Sequence, residues 1–187
     1  MSITLIVVLA LAAVLVLWVI SVQNRLVKID ELCNNSLKQI QVQQMSRYDA
    51  LKTIVSLARE SAQVEGENFE KIINARKITT SPAPTAKEIN ENEAALSQMA
   101  TRLIAVAEQY PQLQGTTQYQ EAIKSYKEYE ENVRLSRMTC NDTITKYNRE
   151  VRSFPASIIA GLLHFPVRDY LADAPDKAEI PEEVFKR

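Results

Sequence analysis

The chain has 187 residues, in which 22 Lys and Arg balance 23 Asp and Glu for a formal net charge of −1. That balance offers no basic field for a nucleic-acid partner, and three glycines, Gly66, Gly115 and Gly161, are too few and too scattered for a phosphate-cradling loop. One histidine and two cysteines, Cys33 and Cys140, lack metal-site spacing.

Ile3 to Ile20 is an apolar run in which Thr4 alone carries a polar side chain. Its Leu, Ile and Val residues favour a bilayer by about 4 to 8 kcal/mol together, and at about 1.5 Å per residue it nearly matches a hydrocarbon core. This predicts a single transmembrane helix. A cleaved secretory signal fits poorly, because Met1-Ser2 supplies no basic start and the run leaves through Trp18 to Gln23 without a small-x-small site. A lipoprotein cysteine is excluded by Asp30-Glu31-Leu32 before Cys33. No Lys or Arg precedes the run, whereas Arg25, Lys28 and Lys38 follow it, so the positive-inside rule predicts an outside N-terminus and a cytoplasmic C-terminal domain. Trp18 suits the aromatic belt near that inner boundary.

Beyond the anchor, residues 1–24, lies one predicted helical domain, 25–165, and an irregular tail, 166–187. The first helix is expected at about 25–78, continuous with the span. Its seam runs through Leu26, Ile29, Cys33, Leu37, Ile40, Tyr48, Leu51, Val55, Ala58, Ala62, Phe69 and Ile72, with Gly66 as the weak point. Thr79 to Pro84 is a loop by composition. Thr85 and Glu88 have capping-box spacing and open a second helix, about 85–110, with Ile89, Leu96, Met99, Leu103, Val106 and Tyr110 on its seam and Pro111 at its end. Thr117 and Gln120 repeat that spacing before a third helix, about 117–154. There Tyr119, Ile123, Tyr126, Val133, Cys140, Ile144, Tyr147, Val151 and Phe154 alternate by threes and fours, the period of coiled-coil-like packing. Pro155 begins a short fourth helix, about 156–164, whose Ser157 to Leu163 run is apolar enough to close one end of a bundle. Pro166, Pro175 and Pro181 keep the tail irregular, with Ile180, Val184 and Phe185 as docking points. The fold class is therefore all-α: a transmembrane helix continuing into an antiparallel bundle of three long helices and one short one.

Polar residues interrupt the seams at Gln44 and Glu65 in the first helix and at Glu130 and Arg137 in the third. A buried unpaired charge is costly, so each should find a partner across the bundle. These four form either a polar layer that fixes helix register or a binding or switching site, and register is the better attested use. His164 sits in an apolar run without a triad partner, and no Glu-x-x-His pair supports a di-metal centre. No catalytic residue, cofactor or metal is expected. The cysteines read as free thiols in a reducing compartment. Asn34-Asn35-Ser36 and Asn141-Asp142-Thr143 match the glycosylation pattern but lie within predicted helices on the cytoplasmic side.

Three stretches resemble a known family. They are Arg47-Tyr48-Asp49 with Val55, then Val106-Ala107-Glu108-Gln109-Tyr110-Pro111-Gln112-Leu113, and then Glu130, Arg137, Asn141, Tyr147-Asn148 and Phe154-Pro155. With the N-terminal span, this pattern resembles the bacterial LemA family, departing from it at Lys52-Thr53, where Pro-Asn is usual, and at Cys140, where Tyr is usual. The resemblance implies a membrane-anchored domain of long antiparallel helices with no established enzymatic activity. The expected role is a non-catalytic scaffold or interaction module at the cytoplasmic face of a bacterial membrane, with membrane or membrane-proximal proteins as partners. A membrane-linked sensor and an accessory subunit of an enzyme or transporter are the alternatives. The heptads can be satisfied within one chain or in a homo-oligomer.

Overall fold

A computed structural model describes residues 3–62 and 78–172. All regular structure among them is helical: α1, Ile3–Ala62; α2, Ala86–Ala107; α3, Pro111–Gln114; α4, Thr117–Arg152; and α5, Ala156–Leu162. Two compact units are distinguished. The first combines the described residues up to Ser36 with Thr139–Tyr170, and the second holds the described part of Leu37–Met138 with Leu171 and Ala172.

α1 begins as the one helix among the described residues that is long and apolar enough to cross a membrane. Every side chain from Ile3 to Leu17 is exposed, and shielding starts only with Trp18, Val19 and Val22. In the first unit α1 buries a narrow stripe, Val22, Leu26 and Cys33, and the rest of the core is Cys140, Ile144, Tyr147 and Val151 of α4 with Ala156, Ile159 and Ala160 of α5. Arg25 pairs with Glu150, while the electrostatic surroundings of Tyr147 include Asp30 and Cys33. Residue numbers thus rise on α1 as they fall on α4, and the two helices are antiparallel.

In the second unit the stripe on α1 widens to Arg47, Ala50, Leu51, Ile54, Val55 and Ala58. The physical reason is a second neighbour: here α1 is covered by α2 as well as by α4, and Leu96, Met99, Leu103, Ile123 and Tyr126 complete the core. Gln41 meets Ser81, Gln44 meets Ile89, and Arg47 meets Glu93, so α2 runs in the same direction as α1. Of the helix expected from 25 to 78, α1 is described as far as Ala62. The Gln41 amide donates to the Ser81 carbonyl at 3.0 Å and accepts from its N–H at 2.9 Å. Gly66, Phe69 and Ile72 lie outside the described residues.

The loop at Thr79 to Pro84 is present as expected, and two amide side chains pin it. Besides Gln41 on Ser81, the buried Asn92 accepts from the Thr79 N–H at 3.0 Å and donates to its carbonyl at 2.8 Å. The Thr85 cap forms reciprocally, with Thr85 N donating to Glu88 Oε2 at 2.7 Å and Glu88 N donating to Thr85 Oγ1 at 3.2 Å. Thr85→Ala is expected to cost about 1 kcal/mol, read as a lowered denaturation midpoint of the full-length protein in detergent.

Three expected boundaries move. α2 stops at Ala107, and Pro111 instead opens the single turn of α3, with Tyr110 at its N-cap. Thr116, not Thr117, caps α4: its Oγ1 accepts from Tyr119 N at 3.3 Å and its carbonyl from Gln120 N at 3.2 Å. The Gln120 side chain goes to the Gln114 carbonyl instead. α4 ends at Arg152, so Phe154 leaves the heptad phase and is 81% exposed rather than buried. α5 closes at Leu162, where His164 takes a left-handed conformation and the Phe165 N–H returns to the Ala160 carbonyl at 2.9 Å. From the tail, Leu171 is buried, while Ile180, Val184 and Phe185 lie outside the described residues.

Candidate functional site

Polar side chains from α1, α2 and α4 converge inside the second unit. Arg47, on the face that α1 turns toward both neighbours, is wholly buried. Its Nη1 donates to Glu93 Oε1 of α2 at 2.5 Å, and its Nη2 donates to the Tyr126 hydroxyl at 2.5 Å and to Glu130 Oε1 at 3.1 Å, both on α4. The guanidinium also lies 4.9 Å from the Tyr126 ring centroid, within cation–π range. Gln44, one turn earlier on α1, donates at 3.0 Å both to Glu93 Oε2 and to the Ile89 carbonyl. Arginine suits this position because its planar fork reaches two helices at once.

Charge balance follows from exposure. The Glu93 side chain is 6% exposed and needs the Arg47 charge, whereas that of Glu130 is 37% exposed and keeps water contact. Glu130 is therefore half-buried rather than a buried seam residue. Burial disfavours the charge on Arg47, yet Tyr126, Glu93 and Glu130 outweigh it and hold the guanidinium above its ordinary pKa. Gln44 Oε1 and Arg47 Nε are buried without a hydrogen-bond partner among the described residues, which lowers the net stabilisation and suits a network that selects register over one that maximises stability. With both Glu93 oxygens and both Arg47 terminal nitrogens engaged, the cluster is chemically occupied by the fold's own groups.

Burial pushes the Tyr126 phenol up to about 12, against the opposing pull of Arg47. An unfolded tyrosine loses its proton near pH 10. Between those values the folded chain holds a proton that the unfolded chain has released, so the stability present below about pH 10 falls as the pH rises toward 12. The loss is of the order of 3 kcal/mol, and Tyr126→Phe is expected to remove that part of the alkaline slope in denaturation measured from neutral pH upward.

Of the four residues expected in a polar layer, Gln44 and Glu130 join this network. Arg137 does not, donating to Asn90 Oδ1 at 2.9 Å and to the Ala172 carbonyl elsewhere in the second unit. Glu65 lies outside the described residues. Sequence reasoning missed Glu93 and the central place of Arg47. The signal for Glu93 was the gap in the α2 seam: Ile89, 93 and Leu96 follow the same four-then-three step, and a carboxylate on it demands a cation.

The remaining positions of the sequence pattern spread over both units. Asp49 is exposed and pairs with Lys52 at 3.3 Å on the surface. Tyr110 is half-buried against the core, Pro111 occupies the first position of α3, and the Asn141 carbonyl accepts from Thr145 Oγ1 at 2.8 Å. In the first unit Tyr147 and Asn148 hold the extended segment after α5. Tyr147 Oη donates to the Pro166 carbonyl at 2.8 Å, and Asn148 clasps the Arg168 backbone, accepting from its N–H and donating to its carbonyl, each at 2.9 Å. The Arg168 guanidinium then reaches Asp30 Oδ1 at 2.8 Å and Asn34 Oδ1 at 2.8 Å on α1. Burial pushes the neighbouring Cys33 thiol up, with Arg168 opposing, so it stays protonated and unreactive. Phe154 is exposed, and Pro155 is the N-cap of α5 after a cis peptide bond.

Residues 36–185 match the LemA family. Two magnetosome proteins of Paramagnetospirillum magneticum, MamQ 1 and MamQ 2, are each similar to this chain at 31% identity over 87 residues. That stretch is 46% of this chain and 32% of each relative, so the similarity spans about a third of their length.

Proposed function

The chain belongs to the LemA family, and from that premise we propose that it is a non-catalytic, membrane-tethered scaffold whose helical domain docks other membrane or membrane-proximal proteins. The observation that carries this reading is the continuity of α1, which passes without a break from exposed apolar residues at Ile3 to Leu17 into residues that organise the packed core. A tether built this way holds the domain at the membrane and raises its effective concentration toward anything anchored nearby. The arginine network supports a structural role for the conspicuous charges, since both terminal nitrogens of Arg47 are committed within the fold. The proposed orientation, from the Lys and Arg that follow the span, puts the N-terminus outside and the domain in the cytoplasm.

Proximity labelling from the C-terminus in intact cells tests the scaffold. A reproducible small set of neighbours is expected, and labelling of bulk membrane proteins alone would overturn it. Protease added to intact cells should leave the domain whole; trimming would reverse the orientation.

A further inference from the structure

α5 is apolar on two sides, and the structure accounts for only one. Ala156, Ile159 and Ala160 are buried in the first unit, whereas Ile158 and Leu162 are 55% and 69% exposed, and Phe154 before the helix and Leu163 at its C-cap are exposed too. Ile158 and Leu162 are four residues apart on α5, which places them along one stripe. We propose that this stripe, Ile158 and Leu162 with Phe154 and Leu163 at the two ends of α5, lies in the boundary between headgroups and acyl chains of the membrane that α1 crosses.

The height of the stripe carries the argument. Arg25 pairs with Glu150 on antiparallel helices, so at about 1.5 Å per residue the last residue of α4, Arg152, comes level with Gln23, just past the end of the apolar run of α1, and Phe154 follows directly after that helix end. Shielding of α1 inside this unit begins at Trp18 and is nearly complete at Val22, which sets the packed core of the unit against the last turn of the span. An aqueous stripe of four large apolar side chains is costly; the same stripe at this height finds the acyl boundary. Charge agrees with position. Lys28, Arg149 and Arg152 are exposed on α1 and α4 within about two turns of the end of the apolar run, where anionic headgroups attract cations. A short helix with a packed face, a bare apolar face and flanking cations has the make-up of an interfacial element. The stripe would thus fix the rotation of the first unit about α1 at the membrane surface, which a single span leaves free.

This proposal rests on α1 being a span, so the test separates the two. Trp18 is the only tryptophan in the chain. Full-length protein is reconstituted into vesicles of phosphatidylcholine and phosphatidylglycerol, some carrying acyl chains brominated near the headgroup, as three forms in addition to the wild type: Trp18→Phe with I158W, Trp18→Phe with L162W, and Trp18→Phe with E121W as an exposed reference on α4. Lipid quenching of wild-type Trp18 reports the span. Tryptophans at 158 and 162 should then emit at shorter wavelength, be quenched by the brominated lipid, and be quenched by aqueous acrylamide several-fold less than the one at 121. Acrylamide quenching equal to that at 121, with none from lipid, overturns the proposal while leaving the anchor standing. Shielding from both quenchers that disappears on dilution of the protein in the vesicles also overturns it, in favour of a second copy on the stripe. Absence of lipid quenching at Trp18 overturns the anchor and the proposal together.

Discussion

Replacing Arg47 with methionine is expected to cost the full-length protein in detergent about 3 to 5 kcal/mol, the penalty for leaving one partner of a buried ion pair uncompensated. Methionine fills the aliphatic path but strands the Glu93 carboxylate, whose side chain is 6% exposed, with Gln44 as its remaining donor. It also removes the donor to the Tyr126 hydroxyl. Lysine should recover little, because one ammonium cannot reach both α2 and α4 as Nη1 and Nη2 do. Two comparisons identify the cause. Glu130→Gln should cost only about 0 to 1 kcal/mol, since a half-exposed carboxylate loses a screened interaction. Arg47→Met with Glu93→Leu should regain most of the stability, because a well-packed apolar pair often equals or exceeds a buried ionic one. Chemical denaturation of the four variants measures this, and an Arg47→Met cost no larger than that of Glu130→Gln would show that the network carries no weight.

The second large effect concerns the anchor. Leu11 and Val14 are exposed in the structure, so arginine at both positions disturbs no protein packing. Each arginine costs about 3 kcal/mol near the centre of a bilayer and forfeits about half a kcal/mol of apolar gain, for a combined change of about 7 kcal/mol. That equals the whole advantage of the run, about 4 to 8 kcal/mol. The double variant should leave the alkaline-washed membrane fraction while keeping its helical circular dichroism, and Gln23→Arg, just past the run, should stay with the membrane. Retention of the double variant in washed membranes would mean that something other than α1 holds the protein there.

The two experiments separate what the chain says locally from what it says only when folded. The apolar run, the 3.5-residue period of α4 and the reciprocal cap of Thr85 and Glu88 were legible because each depends on residues within a turn or two of one another. The same holds for the family pattern, whose Tyr147-Asn148 and Phe154-Pro155 pairs are contiguous in sequence. Local rules failed at junctions. At the start of α4 both Thr116 and Thr117 are competent caps, and the Leu113–Thr116 turn decided between them, with the Thr116 hydroxyl donating to the Leu113 carbonyl at 2.8 Å. Phe154 continued the heptad count in sequence, but the helix had ended two residues earlier.

What a linear pattern determines here is where apolar surface must be hidden and where it may meet lipid, since that follows from side-chain chemistry and the 3.6-residue turn. Folding in three dimensions decided which neighbour hides it. Arg47 finds Glu93, Tyr126 and Glu130 across 46, 79 and 83 residues of chain, and α2 lies alongside α1 in the same direction, a choice that no periodicity encodes. The reason is physical: a seam specifies that a helix must be covered, but the partners of a buried charge depend on which seams meet, and that is a property of the packed helices together.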